Sequence, residues 1–163
     1  MSRTDYLTGI SNSREFFNRA ESELERARRY KSPFSVAYID LDNFKQVNDK
    51  LGHSEGDRLL KAITQTISAS IRKTDTFARL GGDEFVILFS NTEQEGAIPA
   101  VQKIEKIIVD EVKVIAIPVT LSVGVATFKS APYSVDKMLQ KADELMYRAK
   151  SQGKHQVCYA QFD

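Results

Sequence analysis

The sequence is short of cysteine, of histidine and of net charge, and each shortage removes a class of function. Its 163 residues include one cysteine, Cys158, so an internal disulfide is excluded and we expect a cytoplasmic protein. Two histidines and one cysteine are too few for a typical zinc site. The 23 basic and 22 acidic side chains nearly cancel, which gives no support for binding to nucleic acid or a membrane surface through bulk charge. We therefore expect no nucleic-acid or membrane partner, and any anion site must be local.

Long apolar runs and targeting segments are also missing. The most apolar stretch, residues 114–128, is shorter than the roughly 20 residues of a spanning helix and contains Pro118, so it is interpreted as a pair of strands. No basic segment followed by an apolar run opens the chain, so we expect no signal peptide. The G-x-x-x-x-G-K-[ST] pattern is absent, which excludes a P-loop. Without repeats or linkers, the chain is expected to be one domain over residues 1–163.

The spacing of apolar residues predicts an alternation of helices and strands. Helical spacing favours helices at 13–30, 43–51, 54–73, from about 92 onward with a disturbance at Pro99, and at 135–152. Strand-type runs lie at 34–39, 76–80, 84–89, 114–117, 119–128 and 155–159, with Gly81-Gly82 as a hairpin turn. This order predicts an α/β (α+β) fold, a mixed central sheet with helices packed on it.

Helix starts are predicted from capping residues. Asp42 is interpreted as the N-cap of the second helix, and Ser134 as the N-cap of the last. Capping-box spacing at 54–57 and at 92–95 predicts two further helix starts.

Two carboxylates stand where chemistry is expected. Asp40 ends a buried strand and Asp83 follows the hairpin turn, so neighbouring strands would bring both to one edge of the sheet. Hard oxygen ligands of this kind suit Mg²⁺. The backbone N–H groups of Asn43, Phe44 and Lys45, at the start of the next helix, can face a phosphate beside that metal. The alternative that Asp40 only caps a helix and Asp83 is an ordinary turn residue has equal weight on these residues alone.

Several segments together resemble one family. They are, in chain order, DYLTGISN at 5–12, IDLDNFK at 39–45, VND at 47–49, GHSEGD at 52–57, GGDEF at 81–85, LSVGVA at 121–126, AD at 142–143 and MYRAK at 146–150. In this order and spacing they are similar to the GGDEF family, the catalytic domains of diguanylate cyclases. The resemblance covers residues 5 to about 154 and implies a palm-like nucleotidyl cyclase architecture with a GGDEF hairpin.

The resemblance also implies roles for individual residues. Asp40, the carbonyl of Leu41 and Asp83 would hold Mg²⁺ (or Mn²⁺), and Glu84 would complete the catalytic set. The residues implied to bind GTP are Asn43, Phe44, Lys45, Asn48, His53, Asp57, Lys150 and Lys154. Asn48 and Asp57 correspond to the guanine-binding pair, and Lys150 and Lys154 to the groups on the terminal phosphates. Position 154 is commonly Arg in the family, so charge is kept here while fork-like geometry is lost.

Some of these residues have a second interpretation. Asp57 fits the capping box as well as the guanine site, and His53 fits a turn as well as a place near the nucleotide. Arg72 and Asp75 form an R-x-x-D that matches the family's inhibitory product site, to which Arg79 can add. The same pair also fits a helix-end arginine and a turn aspartate.

The activity that the resemblance implies is the condensation of two GTP into cyclic di-GMP and two pyrophosphates. Since each domain would bind one GTP, catalysis implies a homodimer, with cyclic di-GMP as product and feedback ligand. The alternatives are a module that binds GTP or cyclic di-GMP without turnover, and a pure dimerisation partner. Because the chain starts almost at the family's opening segment, we expect a domain excised from a longer regulator, whose signal the sequence does not reveal.

Overall fold

A computed structural model describes residues 1–132 and 134–163. Its helices and strands are, in chain order, α1 Ser13–Tyr30, β1 Phe34–Asp42, α2 Phe44–Leu51, α3 His53–Ser70, β2 Thr76–Gly81, β3 Glu84–Phe89, α4 Gln94–Glu111, β4 Thr120–Phe128, α5 Val135–Ser151 and β5 Gln156–Phe162. None of these helices has the length and apolar content needed to cross a bilayer.

The five strands form one mixed sheet in the order β2-β3-β1-β4-β5. The pairs of β1 with β3, β1 with β4 and β2 with β3 are antiparallel, whereas β4 and β5 are parallel. Side chains alternate between the faces of β1, so that Ile39 joins the core under α2, α3 and α4, while Tyr38 joins the core under α1 and α5. The predicted fold class, a mixed sheet with flanking helices, is confirmed.

Helices α1 and α5 begin and end as their sequences predict. The Asn12 side chain accepts a hydrogen bond of 3.0 Å from the Glu15 N–H at the start of α1, and Lys31 ends that helix in the left-handed conformation. The predicted N-cap of α5 is confirmed, because Ser134 Oγ accepts from the Lys137 N–H at 3.1 Å. One apolar face, which includes Phe16 in α1 and Met138 in α5, is buried in each helix.

A glycine brings α5 unusually close to the sheet. A Cβ at Gly124 in β4 would lie 2.3 Å from the Ala142 carbonyl oxygen and 2.3 Å from the Met146 nitrogen, both in α5. Any larger residue would push the helix away, so Gly124 sets the height of α5 above β4. That height determines how near Lys150, in the last turn of α5, lies to the end of β1.

Three of the predicted capping residues have other roles. Asp42 is the last residue of β1 and is fully buried, and Asn43 takes the N-cap position of α2 with φ +65°. Helix α3 begins at His53, with Gly52 as N-cap, so Ser54 lies inside the helix. Glu93, and not Thr92, precedes α4. Gly52, which ends α2, is at once the N-cap of α3, and Thr92 Oγ1 accepts from the Arg72 guanidinium, so neither predicted capping box forms.

The strand predicted at 114–117 is wrong. Residues Val112–Val114 form a short 3-10 helix, after which the chain runs without regular structure to β4. Val114 is 92% exposed, while Val112 and Ile117 fill the core, and Pro118 has no N–H to offer a ladder. The hairpin turn is also shifted by one residue from the prediction: Gly81 pairs with Glu84, so Gly82 and Asp83 form the turn, and Gly82 has φ +48°.

Candidate active site

The ends of β1 and of the β2–β3 hairpin bring three carboxylates together. Asp40 in β1 lies directly opposite Glu84 in β3, so their side chains share one face of the sheet. The turn is attached to β1 because the Leu41 N–H donates to the Asp83 carbonyl at 3.2 Å. The predicted meeting of Asp40 and Asp83 at one edge of the sheet is thereby confirmed. The adjacent Glu84 also belongs to the cluster.

Asp40 carries the strongest electrostatic perturbation of this cluster. Burial, together with the negative charge of Asp83, raises the pKa of Asp40 from 3.8 to about 7, against the opposing effect of Lys150. One oxygen, Asp40 Oδ1, is buried without a hydrogen-bond partner. An ionised carboxylate with an unpartnered oxygen beside a second carboxylate is a setting that a cation would stabilise.

The oxygen atoms at this edge fit the metal that the sequence implies. No group of three or more His, Cys, Asp or Glu side chains among residues 1–132 and 134–163 is arranged to hold an ion. A site built from Asp40, Asp83 and the Leu41 carbonyl needs only two such side chains, and all its ligands are hard oxygens of the kind Mg²⁺ accepts. The unpartnered Asp40 oxygen is the observation that favours such a site.

The raised pKa of Asp40 predicts a specific dependence of stability on pH. Because the pKa in the folded protein, about 7, lies above the usual 3.8, the folded state retains a proton that the unfolded state loses first. Stability contributed by that proton is lost as the pH rises through this window. Between about pH 4 and pH 8, without divalent cations, the wild type should therefore lose more stability than Asp40→Asn, measured by urea unfolding. Parallel stability curves for the two proteins would contradict the prediction.

Asp42 is the residue whose role the sequence interpretation missed. Its carboxylate accepts hydrogen bonds from Lys150 Nζ at 2.7 Å, Thr120 Oγ1 at 2.6 Å, Ser122 Oγ at 2.7 Å and the His155 N–H at 3.0 Å. Burial raises the pKa of Asp42, but these hydrogen bonds outweigh it and hold the pKa below the usual value. The two-residue spacing of Asp40 and Asp42 in a strand, which puts both on one face, was the available signal.

The two lysines assigned to phosphates both lie beside this end of β1. Lys150 Nζ is 3.6 Å from Asp40 Oδ2 as well as 2.7 Å from Asp42, and its side chain is 22% exposed. Lys154 is exposed and its Nζ donates to Asn43 Oδ1 at 3.4 Å. The structure thus places the ammonium groups of Lys150 and Lys154 beside consecutive residues, Asp42 and Asn43, at the end of β1.

The start of α2 is fixed by one buried and one hydrogen-bonded side chain. Phe44 is buried in the core and anchors the helix, whereas Lys45 is exposed. Asn43 Nδ2 donates to the Pro118 carbonyl at 2.6 Å, which fixes the residue between β1 and α2. The α2 start therefore lies next to the carboxylates and the lysines.

The proposed guanine-binding residues lie on the facing helices α2 and α3. A Cβ at Gly56 would be only 1.9 Å from Asn48 Oδ1, so the absence of a side chain at 56 leaves room for the Asn48 amide. Asp57, the next residue of α3, is exposed, as is His53 in the first turn of that helix. The sequence offers no separate signal for this role of Gly56, which depends on the packing of α2 against α3.

Glu84 is held by a tyrosine from the strand beside it. Tyr38 Oη donates to Glu84 Oε1 at 3.0 Å, and burial together with Glu84 raises the pKa of Tyr38. The phenol therefore stays a donor at ordinary pH and fixes one oxygen of Glu84. Tyr38 was not singled out from the sequence, where it is one of several apolar residues in a strand.

Arg72 and Asp75 are bonded to each other. Arg72 Nη2 lies 3.1 Å from Asp75 Oδ1, the Arg72 N–H donates to Asp75 Oδ2 at 2.9 Å, and the guanidinium also donates to the Ser90 carbonyl. The Asp75 carboxylate is buried while the Arg72 side chain remains more than half exposed.

Arg79 makes its contacts at the other end of β2. It donates to the Gly82 carbonyl at 2.9 and 2.7 Å and lies 3.3 Å from Asp5 Oδ2. Asp5 also accepts from the N–H and the hydroxyl of Thr8. Arg79 thereby ties the N-terminal loop to the hairpin turn that carries Asp83, a role that differs from the predicted addition to the Arg72 site.

Together these features describe an α/β domain with a carboxylate and lysine site at the end of its central strand. The family model "Diguanylate cyclase, GGDEF domain" matches residues 2–156. The chain therefore belongs to the GGDEF family of diguanylate cyclase domains, as the motifs predicted.

Individual relatives agree with that assignment. The chain is 34% identical over 157 residues to the diguanylate cyclase DgcM of Escherichia coli, covering 96% of this chain and 38% of DgcM. The crystal structure of the diguanylate cyclase SiaD of Pseudomonas aeruginosa, solved with its activator SiaC, has a TM-score of 0.88 and 32% identity, and the match covers 98% of this chain and 62% of SiaD. A microbial GGDEF domain, whose structure reports a novel interaction mode with cyclic di-GMP, has a TM-score of 0.86 and 26% identity, covering 98% and 100%. The chain spans less than half the length of curated relatives such as DgcM.

Proposed function

We propose that this domain condenses two molecules of GTP into cyclic di-GMP and releases two pyrophosphates. The observation that carries the proposal is the meeting of Asp40 and Asp83 at one strand end, with an unpartnered buried oxygen on Asp40 and Lys150 beside it. A carboxylate pair next to lysine ammonium groups suits the transfer of a nucleotidyl group between two oxygens. Membership of the diguanylate cyclase family supports GTP as the nucleotide.

Each half of the reaction exchanges one phosphorus–oxygen bond for another. The 3′-hydroxyl of one GTP attacks the α-phosphorus of its partner, loses its proton, and the bond to the β-phosphate oxygen breaks to release pyrophosphate. Mg²⁺ or Mn²⁺ held by Asp40, Asp83 and the Leu41 carbonyl would lower the pKa of the hydroxyl and neutralise phosphate charge. Lys150 and Lys154 bind the negative pyrophosphate as it leaves, and the N–H groups at 43–45 bind the phosphate chain.

Guanine selectivity is assigned to Asn48 and Asp57. The exposed Asp57 carboxylate can accept from both N1–H and N2–H of guanine, whereas adenine presents an acceptor at N1. Asn48 lies against Gly56, the residue before Asp57, and offers its side-chain amide to the same base. His53, four residues before Asp57 in α3, is assigned a place near the nucleotide.

Catalysis requires two copies of the domain. One site holds one GTP, so each 3′-hydroxyl must come from a nucleotide bound to a second copy, and the active form is a homodimer with the two sites face to face. In the longer proteins of this family the domain is one part of the chain. We place the reaction in the cytoplasm, a reducing compartment that fits a chain with a single cysteine.

The direct test is turnover of GTP. The purified domain is incubated with GTP and Mg²⁺, and the products are separated by chromatography. We expect one cyclic di-GMP and two pyrophosphates for every two GTP, at a rate per domain that rises with protein concentration because a dimer is required. GTP binding without product would instead favour a nucleotide-sensing module. If the domain neither bound GTP nor formed product, a dimerisation partner would be the remaining interpretation.

Feedback inhibition is predicted at Arg72 and Asp75. Arg suits fork-like recognition of guanine edges and phosphate, and the exposed Arg72 guanidinium can be reached by product while Asp75 orients it. Arg72→Ala should raise the level at which product accumulation stops, with little change in initial rate, because the catalytic residues are separate. Titration of cyclic di-GMP into both proteins provides the measurement, and equal affinities would reduce the motif to a helix end.

A further inference from the structure

The end of β1 holds both phosphate-binding lysines through two consecutive residues. We propose that Asp42 and Asn43 position Lys150 and Lys154 for the terminal phosphates of the nucleotide. This inference rests on the proposed function and assigns the two residues a positioning role, separate from the metal ligands and the guanine site.

Asp42 is suited to positioning because all of its bonding capacity is used. Four donors reach its two oxygens, and they come from β4, from α5 and from the loop before β5. With no exposed surface and no oxygen left for an ion or a substrate, the carboxylate acts through the groups it binds. The group of greatest consequence is the Lys150 ammonium, which it holds 3.6 Å from Asp40.

Asp42 also shapes the backbone that carries Lys154. Gly153, Lys154 and His155 all have positive φ, of +112°, +64° and +48°, and two of these residues have side chains for which such angles are unfavourable. Such a loop persists only where the surroundings hold it. The hydrogen bonds from the His155 N–H to Asp42 and from the Lys154 N–H to the Ala149 carbonyl hold it here.

Asn43 completes the arrangement from the next position in the chain. Its Oδ1 accepts from Lys154 Nζ at 3.4 Å, and its backbone has the positive φ of +65°. The bond from Asn43 Nδ2 to the Pro118 carbonyl fixes the amide orientation. Two flexible side chains are thus restrained before the nucleotide arrives, which reduces the ordering cost of binding its phosphates.

The test separates phosphate contacts from base contacts by using two ligands. 3′-deoxy-GTP lacks the attacking hydroxyl and cannot condense, and GMP lacks the terminal phosphates. In calorimetric titrations with Mg²⁺, Asp42→Asn should bind 3′-deoxy-GTP about tenfold more weakly than wild type and bind GMP unchanged. Asn43→Gly, which tolerates the positive φ while removing the amide, should show a smaller loss with the same selectivity. Asp110→Asn removes an exposed carboxylate paired with Lys113 and should change neither ligand.

A second measurement needs no nucleotide. Modification of lysines by an amine reagent, followed by peptide mass analysis, should show Lys150 reacting several times faster in Asp42→Asn than in wild type, with Lys113 as the internal standard. In a Lys150→Met background, Asp42→Asn should weaken 3′-deoxy-GTP binding much less than it does in wild type, because the lysine that Asp42 positions is already absent.

The outcomes distinguish this inference from the proposed function. Three results would overturn the positioning role without affecting wild-type turnover. They are an equal loss of affinity for 3′-deoxy-GTP and GMP in Asp42→Asn, an additive loss of affinity in the Lys150→Met background, and an unchanged reactivity of Lys150. A wild type that binds no 3′-deoxy-GTP and makes no product would overturn the proposed function, and this inference with it. Asn43→Gly keeps the test decisive if Asp42→Asn does not fold.

Discussion

Asp83→Ala is expected to lower the rate of cyclic di-GMP formation by about 100-fold or more while the domain stays folded. The side chain sits in a partly exposed turn, and the bond between β1 and the turn uses the Asp83 carbonyl, which alanine retains. The substitution should therefore lower the catalytic rate without disturbing the packing of the domain. Rates from chromatography, with unfolding monitored by circular dichroism, provide the measurement.

Asp40→Ala is expected to have the same effect on activity through the other carboxylate. Because Asp40 is destabilised by burial and by Asp83, its removal should leave stability at neutral pH unchanged or raised. Asp40→Asn and Asp83→Asn test the loss of charge with little change in shape, and Asp110→Ala serves as the matched surface control. Turnover near the wild-type rate in either Asp40 or Asp83 variant would remove the assignment of the metal ligands.

Competition between GTP and ATP is expected to yield cyclic di-GMP almost alone. The Asp57 carboxylate accepts two N–H groups of guanine but meets an acceptor at N1 of adenine, and a site built for such donors rejects the wrong base strongly. Asp57→Ser should admit ATP and produce mixed adenine–guanine dinucleotide at the expense of cyclic di-GMP. Appreciable mixed product from wild type would show that Asp57 does not select the base.

Gly56→Ala tests the same site through Asn48 without touching a polar group. The added Cβ would fall 1.9 Å from Asn48 Oδ1, so the amide must move away from its position beside Gly56. We expect weaker GTP binding, with a KM increase of about tenfold and a fold that remains intact, because the flexible Asn48 side chain can turn aside. An unchanged KM would separate Asn48 from base recognition.

The family and the candidate site residues at the end of β1 could be predicted from the sequence because they follow from local order. An apolar run that ends in Asp40, a hairpin that presents Asp83, and the helix that carries Lys150 are each set by neighbours within a few residues. Periodicity likewise predicted the bounds of α1 and the burial of α5 well, since a continuous apolar face requires a sheet to cover it.

Residues whose partners lie far along the chain were misinterpreted. Asp42 is a residue type that is common at N-caps. The hydroxyl groups that donate to it, on Thr120 and Ser122, are about 80 positions away, and the pairing of β1 with β4 brings them to it. The run at 114–117 has strand-forming residues, yet its first residue ends a short 3-10 helix and the others pair with no strand among the described residues.

The sequence by itself determined the family, the strand that carries Asp40 and the two lysines at and just after the end of the last helix, because motif order and apolar periodicity are properties of neighbouring residues. Only the tertiary structure decided which group each polar side chain binds: Asp42 with Lys150, Asn43 with Lys154, and Arg79 with the hairpin turn in place of the Arg72 site. Hydrogen bonds act over about 3 Å, and only the folded sheet brings groups so distant in sequence within that range.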